Sequence, residues 1–160
     1  MPSLLGTDLR HTFAAYPTGM AMIAAEVDGR DEAMLANSFT TVSLDPPLVS
    51  MAFTHVSTTW PRLRRATELG ITVLGAPQRD LVPQLRRSGP ARLAGIDLER
   101  ASDQARTLTG AAAVLVVRPH RFIPAGDHEL VLFEVVDHHR DDAVSPLTYF
   151  ARRVGVAARV

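Results

Sequence analysis

Apolar and polar residues alternate along the chain in short segments that turn residues separate. Apolar residues at intervals of four in the segment 3–15 predict a short helix, because residues four apart share one helical face. The mostly apolar run 20–27 predicts a buried strand, and Asp28-Gly29 after it is typical of a hairpin turn. The chain is therefore expected to begin with one helix and the first strand of a hairpin.

The same pattern continues to the end of the chain. Further strands are predicted for the ranges 33–43, 48–53, 69–74, 111–117 and 129–136, with a last segment at 145–150. Short helices are predicted for 60–65 and 79–87, and the polar range 98–110 fits neither element. Because strands follow one another through short turns, we expect a mainly β protein with a few short helices, an antiparallel barrel or sandwich. Its 160 residues fit a single domain, 1–160.

Charge and composition exclude several classes of function. Lys+Arg and Asp+Glu number 17 each, so net charge gives no attraction to nucleic acid or to an anionic membrane. The absence of cysteine excludes disulfides and thiolate chemistry, and the adjacent pair His138-His139 cannot ligate one metal from a strand, so no metal site is predicted. No signal peptide and no apolar run of about 20 residues is found, and the cytoplasm is the expected compartment.

The second half of the predicted strand 33–43 is rich in hydroxyl and amide groups. Alternation along a strand would place Asn37, Phe39, Thr41 and Ser43 on one face and residues 38, 40 and 42 on the other. Hydrogen-bonding groups on both faces suit a polar ligand laid along the edge of a barrel. The alternative is that threonine is common in strands for its β propensity, with hydroxyls bonded locally.

Three hydroxyl residues, Ser57, Thr58 and Thr59, precede the predicted helix 60–65. The first N–H groups of a helix lack internal partners, so this position could hold a phosphate, with Arg62 or Arg64 adding charge. Ordinary helix capping is the alternative, although it requires only one hydroxyl.

His128 is the histidine with the most informative position. It follows Gly126-Asp127, a tight-turn dipeptide, and begins a strand in which Val131 and Phe133 lie on the opposite face. A histidine at the end of a strand can donate to a ligand carbonyl or transfer a proton near neutral pH. A solvent-facing turn histidine is the alternative.

Taken in chain order, five segments resemble the flavin-reductase-like family of FMN-binding split barrels. They are FAAYPTGM at 13–20, ANSFTTVSLDPPLV at 36–49, STT at 57–59, GDH at 126–128 and PLTYF at 146–150. The family includes the reductase components of two-component flavin-dependent monooxygenases. The resemblance implies an antiparallel split β-barrel that forms a homodimer.

The resemblance also implies an NAD(P)H:flavin oxidoreductase that binds FMN or FAD, uses NADH or NADPH as co-substrate, and supplies reduced flavin to a partner monooxygenase. His128 corresponds to the family histidine on the nicotinamide side of the flavin. The residues that it implies for flavin binding are Met34, Leu35, Ala36, Asn37, Ser38, Phe39, Thr40 and Thr41 along the ring and ribityl chain, Ser57, Thr58 and Thr59 at the phosphate, and Leu85 and Arg86.

The chain departs from the family pattern at three positions of the implied pocket and near the C-terminus, where Arg152-Arg153-Val154 stands in place of an Arg-x-Tyr segment. Leu35 replaces a threonine, Leu85 replaces an aromatic residue, and Phe133 replaces a glycine. These changes motivate a second hypothesis, a flavin-binding or repurposed split barrel without nicotinamide turnover. Such a protein could act on another substrate in a biosynthetic pathway.

Overall fold

The computed structural model describes residues 5–158, with side chains from Asp8 onward. The helices are α1 (Leu5–Phe13), α2 (Trp60–Leu63) and α3 (Val82–Leu85), with 3-10 turns at Ala76–Leu81 and Gly89–Arg92. The strands are β1 (Thr18–Gly19), β2 (Ala21–Val27), β3 (Arg30–Ala36), β4 (Thr40–Leu44), β5 (Pro47–Thr54), β6 (Leu69–Val73), β7 (Glu99–Arg100), β8 (Arg106–Thr107), β9 (Ala113–Ala125), β10 (His128–Arg140), β11 (Leu147–Phe150) and β12 (Arg153–Val156). Residues 3 and 4 of the first predicted helix lie outside the described residues.

Seven strands form one antiparallel sheet in the order β3-β2-β6-β9-β10-β5-β4. Side chains from five of these strands meet in one buried cluster, and Met34 of β3 packs against it; the cluster includes Ala21, Ile71, Val117, Val131 and Met51. A sheet whose inner face encloses a single core is a barrel, and its two edges, β3 and β4, leave it open on one side. The predicted mainly β split-barrel fold is confirmed.

A second core covers the outside of the barrel. Met22 and Ala24 of β2 face outward and pack with Val82 and Leu85 of α3 and Leu147 of β11. Strand β2 is therefore buried on both faces, which explains why its sequence is a continuous apolar run and not an alternating one. A separate small sheet, β1-β11-β12, lies at this side of the molecule.

The hairpin of β9 and β10 is the longest feature of the fold. Each strand has 13 residues, and the turn at Gly126-Asp127 lies where the sequence predicted it. The predicted strands, 111–117 and 129–136, were too short because the outer parts of both strands are exposed and carry charged residues. No helix in the described part of the chain is long and apolar enough to cross a membrane.

The single strand predicted for 33–43 is wrong. Strand β3 ends at Ala36 and β4 begins at Thr40, and the three residues between them carry the chain from one edge of the sheet to the other. Asn37, Phe39, Thr41 and Ser43 therefore do not share one strand face, and a register irregularity between Thr41 and Ser43 shifts the last of them again. We call residues 37–39 the edge crossing.

Two other elements differ from the predictions. Helix α2 covers only Trp60–Leu63, and the predicted helix 79–87 is a 3-10 turn followed by the four residues of α3. The ambiguous range 98–110 contains the short pair β7 and β8.

Candidate functional site

The edge crossing is held to β5 by one side chain. The Ser38 hydroxyl accepts a hydrogen bond from the Ala52 N–H at 3.0 Å and donates to the Ala52 carbonyl at 3.2 Å. Strand β4 pairs Thr40 with Ser50. If the same antiparallel register is continued by two residues, Ser38 lies opposite Ala52. Its hydroxyl makes the two bonds that a strand backbone would have made there, because the backbone has already turned toward β3.

Side chains before and in the edge crossing point in alternate directions. Met34, Ala36 and Phe39 pack against the barrel core, whereas Leu35 packs against the outer core that contains Leu85. Leu85 is only 1% exposed, so its side chain presents no surface to a ligand in this structure. The departure that the family resemblance implies at Leu85 therefore lies inside the outer core.

The open edge of β3 offers backbone groups. The Ala33 carbonyl accepts a hydrogen bond from Arg92 Nη1. In an antiparallel strand the N–H and C=O of one residue point to the same side, and every second residue shares that side, so the backbone of Leu35 also faces the open edge. At the opposite edge, Thr40 and Thr41 of β4 are exposed.

A cavity of about 410 Å³ lies at the crossing end of β3. It is lined by Asn37, by Thr18 and by the aromatic residues Phe13, Tyr16 and Tyr149. The Thr18 hydroxyl oxygen is buried and, among the described residues, has no hydrogen-bond partner. The exposed Asn37 amide beside these aromatic side chains makes the cavity suited to an aromatic ligand that carries polar atoms.

Arg86, the residue after α3, contacts Tyr149, which lines this cavity. Its guanidinium carbon lies 5.3 Å from the centroid of the Tyr149 ring, a cation–π distance. Arg86 is exposed, so of the two sequence-predicted residues in this segment it is the one that can reach a ligand.

The three hydroxyl residues before α2 have different environments. The Ser57 hydroxyl caps the helix by accepting hydrogen bonds from the N–H groups of Thr59, at 3.3 Å, and Trp60, at 3.1 Å. Thr59 is 4% exposed and accepts from Arg92 Nη1 at 3.0 Å, whereas Thr58 is exposed. Ser57 acts only as an acceptor, so its own O–H remains available to a phosphate, and Thr59 acts by positioning Arg92.

The arginines suggested by the sequence are already paired. Arg62 forms two hydrogen bonds to Glu32, at 2.7 and 3.1 Å. Arg64 donates to Glu129 at 3.2 and 3.4 Å. Neither is therefore the best candidate to bind an anion beside Ser57.

Arg92 is the cation that the sequence did not reveal. Its Nε donates to the Arg87 carbonyl at 2.7 Å and its Nη1 to Ala33 and Thr59, and no carboxylate contacts it within the described residues. Burial lowers the pKa of the Arg92 guanidinium; the charge of Glu32 opposes this effect and that of Arg62 adds to it. Its position in an irregular segment after Gly89-Pro90 gave no periodic signal.

His128 begins β10, as predicted, and lies opposite Thr54 of β5. Its Nδ1 is 2.6 Å from Asp127 Oδ1. The hydrogen bond from His128, followed by the charge interaction with it, lowers the pKa of Asp127 below its ordinary value. Because the Ser57 N–H donates to the Thr54 carbonyl at 3.1 Å, the histidine and the Ser57 turn lie on the same rim of the barrel.

Phe133 lies inside the barrel and not in a ligand cavity. It is fully buried and meets the rings of Phe53 and Trp60 edge-on, at 6.4 and 6.3 Å. Trp60 stacks on Phe53 at 3.7 Å, and its Nε1 donates to Glu129 at 2.9 Å. The departure that the family resemblance implies at Phe133 therefore lies in the core that supports α2.

The sequence and the fold were compared with those of known proteins. A family model described as a flavin reductase like domain matches residues 13–158. The actinorhodin polyketide dimerase of Streptomyces coelicolor is 32% identical over 146 residues, which are 91% of this chain and 82% of that protein. The reductase component of 4-hydroxyphenylacetate 3-monooxygenase from Thermus thermophilus is 30% identical over 143 residues, 89% of this chain and 91% of that protein.

Among solved structures, an NADH:FAD oxidoreductase of Streptomyces globisporus, in complex with NAD and FAD fragments, has a TM-score of 0.88. It is 28% identical to this chain, and the alignment covers 95% of this chain and 92% of that one. The fold is thus shared with an oxidoreductase over nearly the whole length of both chains.

Proposed function

Since this chain belongs to the flavin reductase like domain family, we propose that it is an NAD(P)H-dependent flavin reductase that binds FMN or FAD along the open edge of β3. The proposal rests on one observation: a site suited to an aromatic ring and a site suited to a phosphate lie at the two ends of that edge. An aromatic-lined cavity that contains the Asn37 amide lies at one end, and the Ser57 turn with Arg92 lies at the other.

The spacing of these environments suits a flavin. Asn37 and Ala33, which mark the two ends, are four residues apart, roughly 14 Å at about 3.4 Å per strand residue. Asn37 and the aromatic side chains of the cavity would hold the ring, the backbone of Leu35 the middle of the molecule, and Ser57, Thr58 and Arg92 the phosphate. When bound, the flavin supplies the hydride-accepting redox chemistry, and the protein supplies binding and orientation.

His128 and Asp127 are assigned to the nicotinamide side. Because the Asp127 carboxylate accepts a hydrogen bond from Nδ1, the imidazole is fixed with that proton on Nδ1 and with Nε2 directed away from Asp127. Nε2 can then accept a hydrogen bond from the carboxamide of the nicotinamide and so orient it.

The test is NADH and NADPH oxidation by the purified protein with FMN and with FAD. His128→Ala is expected to lower turnover while flavin affinity stays within about twofold, and His139→Ala, an exposed histidine of the same strand, is the matched control. Equal loss of turnover and flavin affinity in His128→Ala would contradict the assigned role. Flavin binding without nicotinamide oxidation would instead support the repurposed-barrel hypothesis.

We further infer a homodimer from apolar surface that the single chain leaves exposed. Phe13, Tyr16 and Phe150 are 66%, 77% and 51% exposed, and Leu44, on the open edge strand β4, is 96% exposed. Large exposed apolar groups and an unpaired edge strand favour association. Light scattering after gel filtration should give twice the 17.4 kDa of the chain; the mass of a monomer at assay concentration would contradict the inference.

The proposed recipient of reduced flavin is a monooxygenase, since one relative is named as the reductase component of such an enzyme. A second candidate, in which flavin stays bound and acts on an organic substrate of a biosynthetic pathway, is favoured by the relative named as a polyketide dimerase. Gel filtration of the protein loaded with flavin separates the two. Flavin that elutes apart from the protein favours the reductase, and flavin that remains with it through turnover favours the second candidate.

A further inference from the structure

A second cavity, of about 420 Å³, lies beyond Arg92 on the side away from the edge crossing. It lies between the first residues of β3 and the segment 89–94, and Arg62 of α2 contributes to its wall. Its volume falls within the range of about 300–1,000 Å³ that is usual for small-molecule sites. Pro90, Leu93 and Ala94 give it an apolar wall.

The charged residues around this cavity are unequally paired. Asp31 accepts from Arg106 Nε at 3.1 Å, and Glu32 accepts from both Nε and Nη2 of Arg62. The remaining two cations, Arg30 and Arg92, have no carboxylate in contact within the part of the chain that the structure describes. The cavity therefore presents two guanidinium groups beside an apolar wall.

We infer that this cavity binds the adenosine diphosphate end of the flavin, so that the chain prefers FAD to FMN. The inference rests on the proposed function, which brings the first phosphate of the flavin to Ser57 and Thr58. FMN ends at that phosphate, whereas FAD continues with a second phosphate and an adenosine.

Arg92 connects the two places. Its Nη1 is bound to Thr59 on the phosphate side, and the same guanidinium lines the cavity. Arg30 supplies a second cation for the pyrophosphate, and guanidinium planes and apolar side chains are suitable surfaces for a nucleobase. The cavity thus has a separate place for each group that distinguishes FAD from FMN.

The experiment measures the Kd of FAD, FMN, ADP and NADH by isothermal calorimetry for the full chain and three variants. Arg30→Gln removes a cation that makes no side-chain hydrogen bond among the described residues, and Ala94→Phe fills the cavity from its exposed wall. Arg121→Gln, an exposed arginine of β9, has the same change of charge and serves as the control. Steady-state oxidation of NADH is measured in parallel.

The expected result is a Kd for FAD that is about tenfold higher in Arg30→Gln, the effect of one charge-assisted hydrogen bond, with the Kd for FMN within about twofold. Ala94→Phe should raise the Kd of FAD and ADP and leave that of FMN unchanged. Unchanged FAD binding in both variants overturns the inference and leaves the reductase proposal intact. A rise in the Kd of NADH alone would overturn the inference and indicate that the cavity binds the nicotinamide dinucleotide instead. A wild-type protein that binds no flavin would overturn both the inference and the proposed function.

Discussion

The Ser38→Ala substitution tests the edge crossing, on which the flavin site depends. It removes the hydroxyl that bonds both the N–H and the C=O of Ala52, and the methyl group that remains can replace neither bond. Each intramolecular hydrogen bond is worth about 1 kcal/mol net, so the free energy of unfolding should fall by about 2 kcal/mol. In a domain of this size that loss lowers Tm by about 4–8 °C.

Urea denaturation followed by tryptophan fluorescence is a suitable assay, because the single tryptophan, Trp60, is 4% exposed and stacked on Phe53. Ser43→Ala makes the same chemical change in β4, where the hydroxyl has no hydrogen bond among the described residues, and should cost less than about 0.5 kcal/mol. Flavin affinity should fall in Ser38→Ala alone, since Asn37 moves with the crossing. Equal stabilities of the two variants would refute the reasoning.

Two further substitutions have defined outcomes. Gly70→Ala should prevent stable folding, because a Cβ there would lie 2.1 Å from the Arg106 carbonyl oxygen. Gly19→Ala, where the nearest atom would be 3.9 Å from the Cβ, should fold normally and is the control. Thermal unfolding of both variants is the test, and a Tm of Gly70→Ala within 5 °C of that of Gly19→Ala, roughly 2 kcal/mol or less, would contradict the expected clash. Asp127→Asn should lower kcat for NADH at every pH above the lowered pKa of Asp127, without changing flavin affinity. The pKa of Asp127 is depressed, so in the wild type the charged partner of His128 is present above the ordinary carboxyl pKa and is lost only as the pH falls through the lowered value. An unchanged kcat at pH 7 would show that Asp127 does not position the histidine.

The sequence pattern predicts most of the barrel because the barrel depends on local alternation. Strand β2 and the hairpin turn at Gly126-Asp127 were found from apolar runs and turn residues. The edge crossing was missed because the Ser38 side chain makes the hydrogen bonds to β5 that a strand backbone would make. The sequence alone does not show that the backbone has left the strand at this residue. Long outer parts of β9 and β10 were missed because both of their faces are largely exposed.

The candidate site was predictable only where it is built from hydroxyls and a turn. The positions of Ser57 at a helix start and of His128 after a tight turn were predicted, because a capped helix and a tight turn have recognisable neighbours. Arg92 was missed because its role depends on contacts with Ala33 and Thr59, which are 59 and 33 residues away in the chain. The pairing of Arg62 with Glu32 is equally non-local, and the sequence could not show that this cation was already occupied.

The most direct test of the proposed function is an anaerobic single turnover followed at the absorbance maximum of oxidised flavin. The wild-type protein is mixed with FAD and with NADH in excess, and the loss of absorbance is compared with that of a protein-free mixture. The account predicts a loss that is much faster with the protein and slowed in His128→Ala. Absorbance that falls at the protein-free rate, while calorimetry shows the flavin bound, would contradict it.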